Sequence, residues 1–239
     1  MKQYYRILRK TIGFWLKDKV ESRVDFYLGT IGFSLSCKGW CASRVTSNAS
    51  ILVIEGYPRS ANSFAGKAFM EANNGIFRIG NHTHSPANII RGIRMKKPVL
   101  LVIREPKDAI LGYCAWCDQT EGSLVPFLMR RQLKLFLKRY IDFHRKLLPY
   151  LNQMCIANFN EVISDFGKVT VRLNEQFGTA FEVFDHTEEN QRKLFNSSAD
   201  HLSPSVDREN VKVKYLDYWN ELEGTKEVEL AIDLYKKLA

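Results

Sequence analysis

The sequence predicts an α/β fold of three layers, a central mostly parallel sheet with helices on both sides, and three observations lead there. Three short apolar runs, at 51–54, 99–103 and 154–157, are continuous rather than alternating, as in strands buried on both faces of a parallel sheet. Each run is followed by apolar residues at helical spacing. The 239 residues, 45% hydrophobic and 26% charged, suffice to bury one core without disulfide support, which excludes disordered and collagen-like classes.

The opening stretch is set apart by charge. Residues 1–50 hold nine Lys/Arg against three Asp/Glu, which is +6 of the chain's net +9, so an anionic partner is expected. These bases are mixed with Tyr4, Tyr5, Ile7, Leu8, Ile12, Phe14, Trp15 and Leu16, the pattern of a basic amphipathic helix. Such a helix either packs on its own domain or lies at a membrane surface. The longest apolar stretch, 26–36, is broken by Gly29, Thr30, Gly32 and Ser34 and falls short of the ~20 residues that span a bilayer. No signal-peptide pattern is present. The cysteines Cys37, Cys41, Cys114, Cys117 and Cys155 are scattered and odd in number, which points to a reducing compartment. A cytoplasmic protein is expected, with peripheral membrane contact as an option and no nucleic acid as partner.

Further along, Phe64, Ala65, Ala68, Phe69 and Ala72 recur at helical spacing after the first run, and Asn74-Gly75 supplies a stop. The second run leads into a helix from about Pro106, tolerated at a first turn, to Cys117. On that helix Cys114 and Cys117 read as packing residues rather than a metal or redox pair. A longer helix over 124–148 carries one apolar stripe through Met129, Leu133, Phe136 and Tyr140. A second stripe, Arg131, Lys134, Lys138, Asp142 and Arg145, is mostly basic. Phe166, Val169, Leu173 and Phe177 make a third helical unit capped by Gly178, and Val228, Ala231, Leu234 and Leu238 a closing helix. Between them, 196–220 is polar, holds Pro204 and shows no clean period, so a long loop or lid is expected there.

The turn after the first strand, Gly56-Tyr57-Pro58-Arg59-Ser60-Ala61-Asn62-Ser63-Phe64, is where chemistry is expected. Free N–H groups of a first helical turn and the positive end of its dipole make an anion site there. Ser60, Ala61 and Ser63 are small enough for backbone to approach the anion, Ser60, Asn62 and Ser63 add side-chain donors, and Arg59 adds charge. Residues 61–68 also resemble a damaged phosphate loop. Ala68 stands where the magnesium-binding hydroxyl would be, and the second strand leads into Arg104 rather than a metal-holding Asp. A nucleotide held by amides and cations, without metal, fits these residues better.

Residues 57–64 are similar to the first signature of sulfotransferases that use 3′-phosphoadenosine 5′-phosphosulfate, usually Tyr-Pro-Lys/Arg-Ser-Gly-Thr-Thr and an aromatic. The resemblance implies a P-loop NTPase-like fold, with Arg59, Ser60, Ala61, Asn62, Ser63 and Phe64 around the donor's 5′-phosphosulfate. Arg104-Glu105-Pro106-Lys107-Asp108 resembles the second signature, which implies Arg104 on the 3′-phosphate; Gly112 replaces the family's Ser in that motif. Thr83-His84-Ser85-Pro86 is similar to the element carrying the general base, with His82 where a Lys is common, which implies His84 as base and Arg59 as its charge-stabilising partner. The resemblance further implies Phe159 against the adenine and Arg208 near the 3′-phosphate. It covers 51–178.

The whole chain, 1–239, is expected to form one domain: a basic segment at 1–50, a nucleotide-binding core at 51–178, and a lid loop with a closing helix at 179–239. The expected activity is metal-independent sulfo transfer from that nucleotide to a hydroxyl or amine on a glycan, lipid or small alcohol. A degenerate phosphate-loop kinase and a non-enzymatic binder of anionic surfaces are the alternatives.

Overall fold

The computed structural model describes residues 2–21, 23–29, 44–75, 77–196 and 206–239. Cys37, Cys41 and most of the 26–36 stretch therefore lie outside the described residues, as does 197–205. In chain order the elements are α1 Lys2–Glu21, β1 Ser50–Gly56, α2 Asn62–Ala72, β2 Arg78–Asn81, α3 Pro86–Arg94, β3 Val99–Ile103, α4 Pro106–Glu121 and α5 Pro126–Arg145. A short 3₁₀ segment, Leu148–Gln153, precedes β4 Cys155–Asn158, α6 Phe159–Ser164, α7 Phe166–Phe177, α8 Glu188–Asn196, α9 Val206–Asn220 and α10 Lys226–Leu238.

The four strands form one parallel sheet in the order β2-β1-β3-β4, with Val53 opposite Val99 and Leu100 opposite Cys155. The continuous apolar runs have the expected cause, since every residue of β3 is buried. Alternate residues feed two cores. Val53, Val99, Leu101 and Ile103 pack with α4, α5 and α10, while Leu52, Ile54, Leu100 and Val102 pack with α2, α6 and α7 on the other face. Helices thus cover both faces, as predicted.

The chain leaves β1 toward β2 on one side and reaches β3 on the other. The carboxyl ends of β1 and β3 therefore flank a topological switch point, the crevice where open α/β sheets place ligands. The strands are close there: a Cβ on Gly56 would collide with the Val102 carbonyl oxygen, so only glycine fits.

Among the elements that go beyond the sequence reading, β2 and α3 flank the His84 segment. β2 is four residues with Ile79 as its one large apolar side chain, too little for a period to show. α3 is opened by Ser85, whose hydroxyl accepts from the Ala87 amide at 3.2 Å, with Pro86 in the first turn.

One expectation is overturned. The loop or lid expected over 196–220 is a helix from 206 onward, α9, which packs along α4. It shows no apolar stripe because its inward face mixes Arg208 with Tyr215 and Trp219, all buried, while Val213 points to solvent.

Candidate functional site

The loop leaving β1 is small-residued and bent. Arg59 and Ala61 both stand in the left-handed region, at φ 70° and 71°, and α2 begins at Asn62 with no side-chain cap. Neither Ser60 nor Asn62 caps the helix, so the amides of Asn62, Ser63 and Phe64 have no acceptor within it. The Ser60 side chain is fully buried, and its Oγ finds no hydrogen-bond partner among the described residues. Asn62 turns the other way, its Nδ2 donating to the carbonyls of Gly56 at 3.2 Å and Tyr57 at 3.1 Å. The Phe64 ring is buried against His186 and Phe184, so only its amide belongs to the loop. Ser63 Oγ lies 2.9 Å from His82 Nε2.

Cations converge on this loop. Arg104 follows β3, stacks on the Phe159 ring at 3.7 Å from its centroid, and donates to the Arg59 carbonyl at 3.0 Å. Its Nε is buried with no acceptor among the described residues. Burial, reinforced by the charges of Arg208 and Arg104, lowers the Arg59 pKa to about 10, which leaves it charged at neutral pH. Arg208 comes from α9 and is fixed by donating its Nε to Gln119 Oε1 at 3.2 Å. A Cβ at Gly112 would sit 3.6 Å from Arg59 Cβ and 3.9 Å from Lys212 Cε, so the residue that replaces a serine leaves its space to two cationic side chains. Lys212, paired with Glu209 at 2.7 Å, escaped the sequence reading because it rides on the unrecognised α9.

His84 is held from below. Glu55, fully buried near the end of β1, accepts from the Thr83 amide at 2.7 Å and hydroxyl at 2.6 Å, the His84 amide at 3.2 Å and Asn88 Nδ2 at 3.1 Å. This clamp holds the backbone of His82 and His84 at φ 53° and 46°. The Gly56 carbonyl can only accept, so His84 Nδ1, 2.9 Å away, carries the proton and Nε2 keeps the lone pair. Burial lowers the His84 pKa from 6.5, against the opposing pull of Glu55, so the imidazole is neutral at pH 7. Burial, with the charges of His84, Arg44 and Lys67, takes His82 down to about 3. Lys17 reaches over from α1 to donate to the His84 carbonyl at 3.2 Å, and burial lowers its pKa to about 8. Glu55 was not singled out in the sequence, although a charge closing an apolar run was a usable signal.

The fold thus gathers Arg59, Ser60, Ala61, Asn62, Ser63, Arg104, Arg208 and His84 around the switch point. It places Phe159 there with one ring face already occupied by Arg104. Two clefts, of about 560 Å³ beside Asp165 and His186 and about 490 Å³ between α5 and α10, lie elsewhere and take in none of these residues. What the site offers chemically is a ring of amide and guanidinium donors for phosphate-like anions, beside a neutral base. No protein-family model matches the chain, and no curated protein matches it.

Proposed function

We propose that the protein moves a sulfo group from 3′-phosphoadenosine 5′-phosphosulfate to an acceptor hydroxyl or amine, on a P-loop NTPase-like form of the α/β fold and in the cytoplasm. One observation carries the reading. An imidazole whose Nδ1 is committed to the Gly56 carbonyl, leaving Nε2 basic, stands beside an uncapped helix start where arginines meet. Ser60 Oγ and Arg104 Nε, buried and without a hydrogen-bond partner among the described residues, fit a phosphate-bearing nucleotide, because both can donate to anionic oxygens.

In this reading the first-turn amides and Arg59 bind the 5′ end, and Arg104 with Arg208 the 3′-phosphate. His84 Nε2 takes the acceptor proton as the acceptor atom bonds to sulfur. The sulfur–oxygen bond to the phosphate breaks with its electron pair going to the phosphate oxygen, whose charge Arg59 stabilises. Arg59 holds its proton throughout. Ala68 and Arg104 stand where a magnesium-dependent phosphate loop needs a hydroxyl and a carboxylate, which disfavours a kinase.

In His84→Ala, turnover with labelled donor is expected to fall roughly 10²–10⁴-fold, while affinity for 3′-phosphoadenosine 5′-phosphate stays within a few fold. Unchanged turnover would remove His84 as the base.

A further inference from the structure

The structure assigns to the outer face of α1 a second role: we infer that it docks the protein on an anionic lipid bilayer. The inner face of the helix is fixed. Arg6 bonds to Asp118 at 3.0 Å, Phe14 lies against Phe136 at 6.2 Å between ring centroids, and Asp18 takes Lys146 at 2.7 Å. With that side anchored, Tyr4, Tyr5, Leu8, Ile12, Trp15 and Leu16 are left pointing out, from 48% exposed at Ile12 to 68% at Tyr5. At 3.6 residues per turn they fall within an arc of roughly 120° opposite the buried face. A packed helix ordinarily presents polar residues on that side.

Charge decides the occupant. The exposed charged residues of α1 are Lys2, Arg9 and Lys19, all basic, whereas Asp18 is turned to Lys146 and Glu21 is buried under Ser85 and Lys146. An apolar arc set among cations, rich in Tyr and Trp, matches the boundary between acyl chains and anionic headgroups. A second copy meeting the same face about a two-fold axis would instead bring like charges together. No helix among the described residues is long and apolar enough to cross a membrane, so the contact is with the surface. Lys17, on the anchored side of this helix, touches the His84 carbonyl at 3.2 Å, so the docked bilayer lies on the order of one helix diameter, ~10–12 Å, from the loop that carries His84.

Co-sedimentation of the full chain with phosphatidylcholine vesicles, with and without phosphatidylserine, tests this. Binding is expected to phosphatidylserine vesicles at low salt, to weaken as salt rises, and to drop about tenfold or more in the double variant Leu8→Asp/Ile12→Asp. Both positions are exposed, so the variant should keep the wild-type circular dichroism spectrum, and Val171→Asp, exposed on α7, should bind like wild type. Three results would overturn the inference: no sedimentation of wild type with phosphatidylserine vesicles, equal binding by the double variant, or light scattering showing a dimer that only the double variant dissociates.

Discussion

At Ala61 the backbone stands at φ 71°, where a Cβ costs roughly 1–2 kcal/mol and glycine costs almost nothing. Ala61→Gly is therefore expected to stabilise the protein by about 0.5–1 kcal/mol in urea unfolding, after the added flexibility of the unfolded chain is subtracted. A loss of stability would show that the Ala61 methyl packs usefully. The small residues of this loop were legible in the sequence because they stand between a buried apolar run and a helical pattern. The strain at Arg59 and Ala61 was not, since nothing about an Arg or an Ala announces a left-handed conformation. The same holds for Glu55, whose four accepted hydrogen bonds depend on residues 28 to 33 positions away. Glu55→Gln replaces one accepting oxygen by a donor facing donors, and is expected to cost about 1–3 kcal/mol and to lower turnover in the sulfo-transfer assay. Unchanged stability would mean that the clamp relaxes around an amide.

Among the elements, α1, α4, α5 and α9 are tied by one buried polar knot. Arg6 donates to Asp118 Oδ1 and Gln132 Oε1, each at 3.0 Å, Tyr215 OH donates to the same Asp118 oxygen at 2.9 Å, and Gln132 Nε2 donates to Tyr215 OH at 2.9 Å. Removing the guanidinium leaves a buried carboxylate without its cation. Arg6→Met is expected to cost about 3–5 kcal/mol in urea unfolding, and Asp118→Asn in the same background should recover part of that loss. If Arg6→Met is neutral, the knot does not hold α1. This knot also explains which elements the sequence revealed. Strands β1 and β3 announced themselves because burial on both faces demands unbroken apolar runs, and the edge strand β4, buried at alternate residues, by its short apolar run alone. The helix α9 did not, because its inward side mixes Arg208 and Tyr215, which bond to polar partners on α4 and α5, with Trp219, which is buried in the apolar core, so no stripe of aliphatic residues marks it.

For the molecule as a whole, buried histidines set the response to acid. His144 is held near 4 and His82 near 3 by burial, and His84 is lowered from 6.5 by the same cause. The unfolded chain takes up these protons as pH falls through about 6.5 and the folded chain resists, so the histidine contribution to stability is fully present above about pH 7 and declines between pH ~6.5 and ~3. Thermal midpoints measured across that range should fall toward acid, and His144→Phe should flatten the fall. A midpoint that rises on acidification would contradict this. Glu21 and Asp18, whose cationic neighbours hold their carboxyls below the usual range, add a further loss only below about pH 4.5. The most direct measurement is calorimetric titration of the intact chain with 3′-phosphoadenosine 5′-phosphate in excess chelator, beside magnesium–ATP. Saturable binding of the bisphosphate without metal, weakened tenfold or more in Arg104→Ala, is the expected result. No heat from the bisphosphate, or binding of magnesium–ATP in its place, would contradict the nucleotide site on which the proposed chemistry depends.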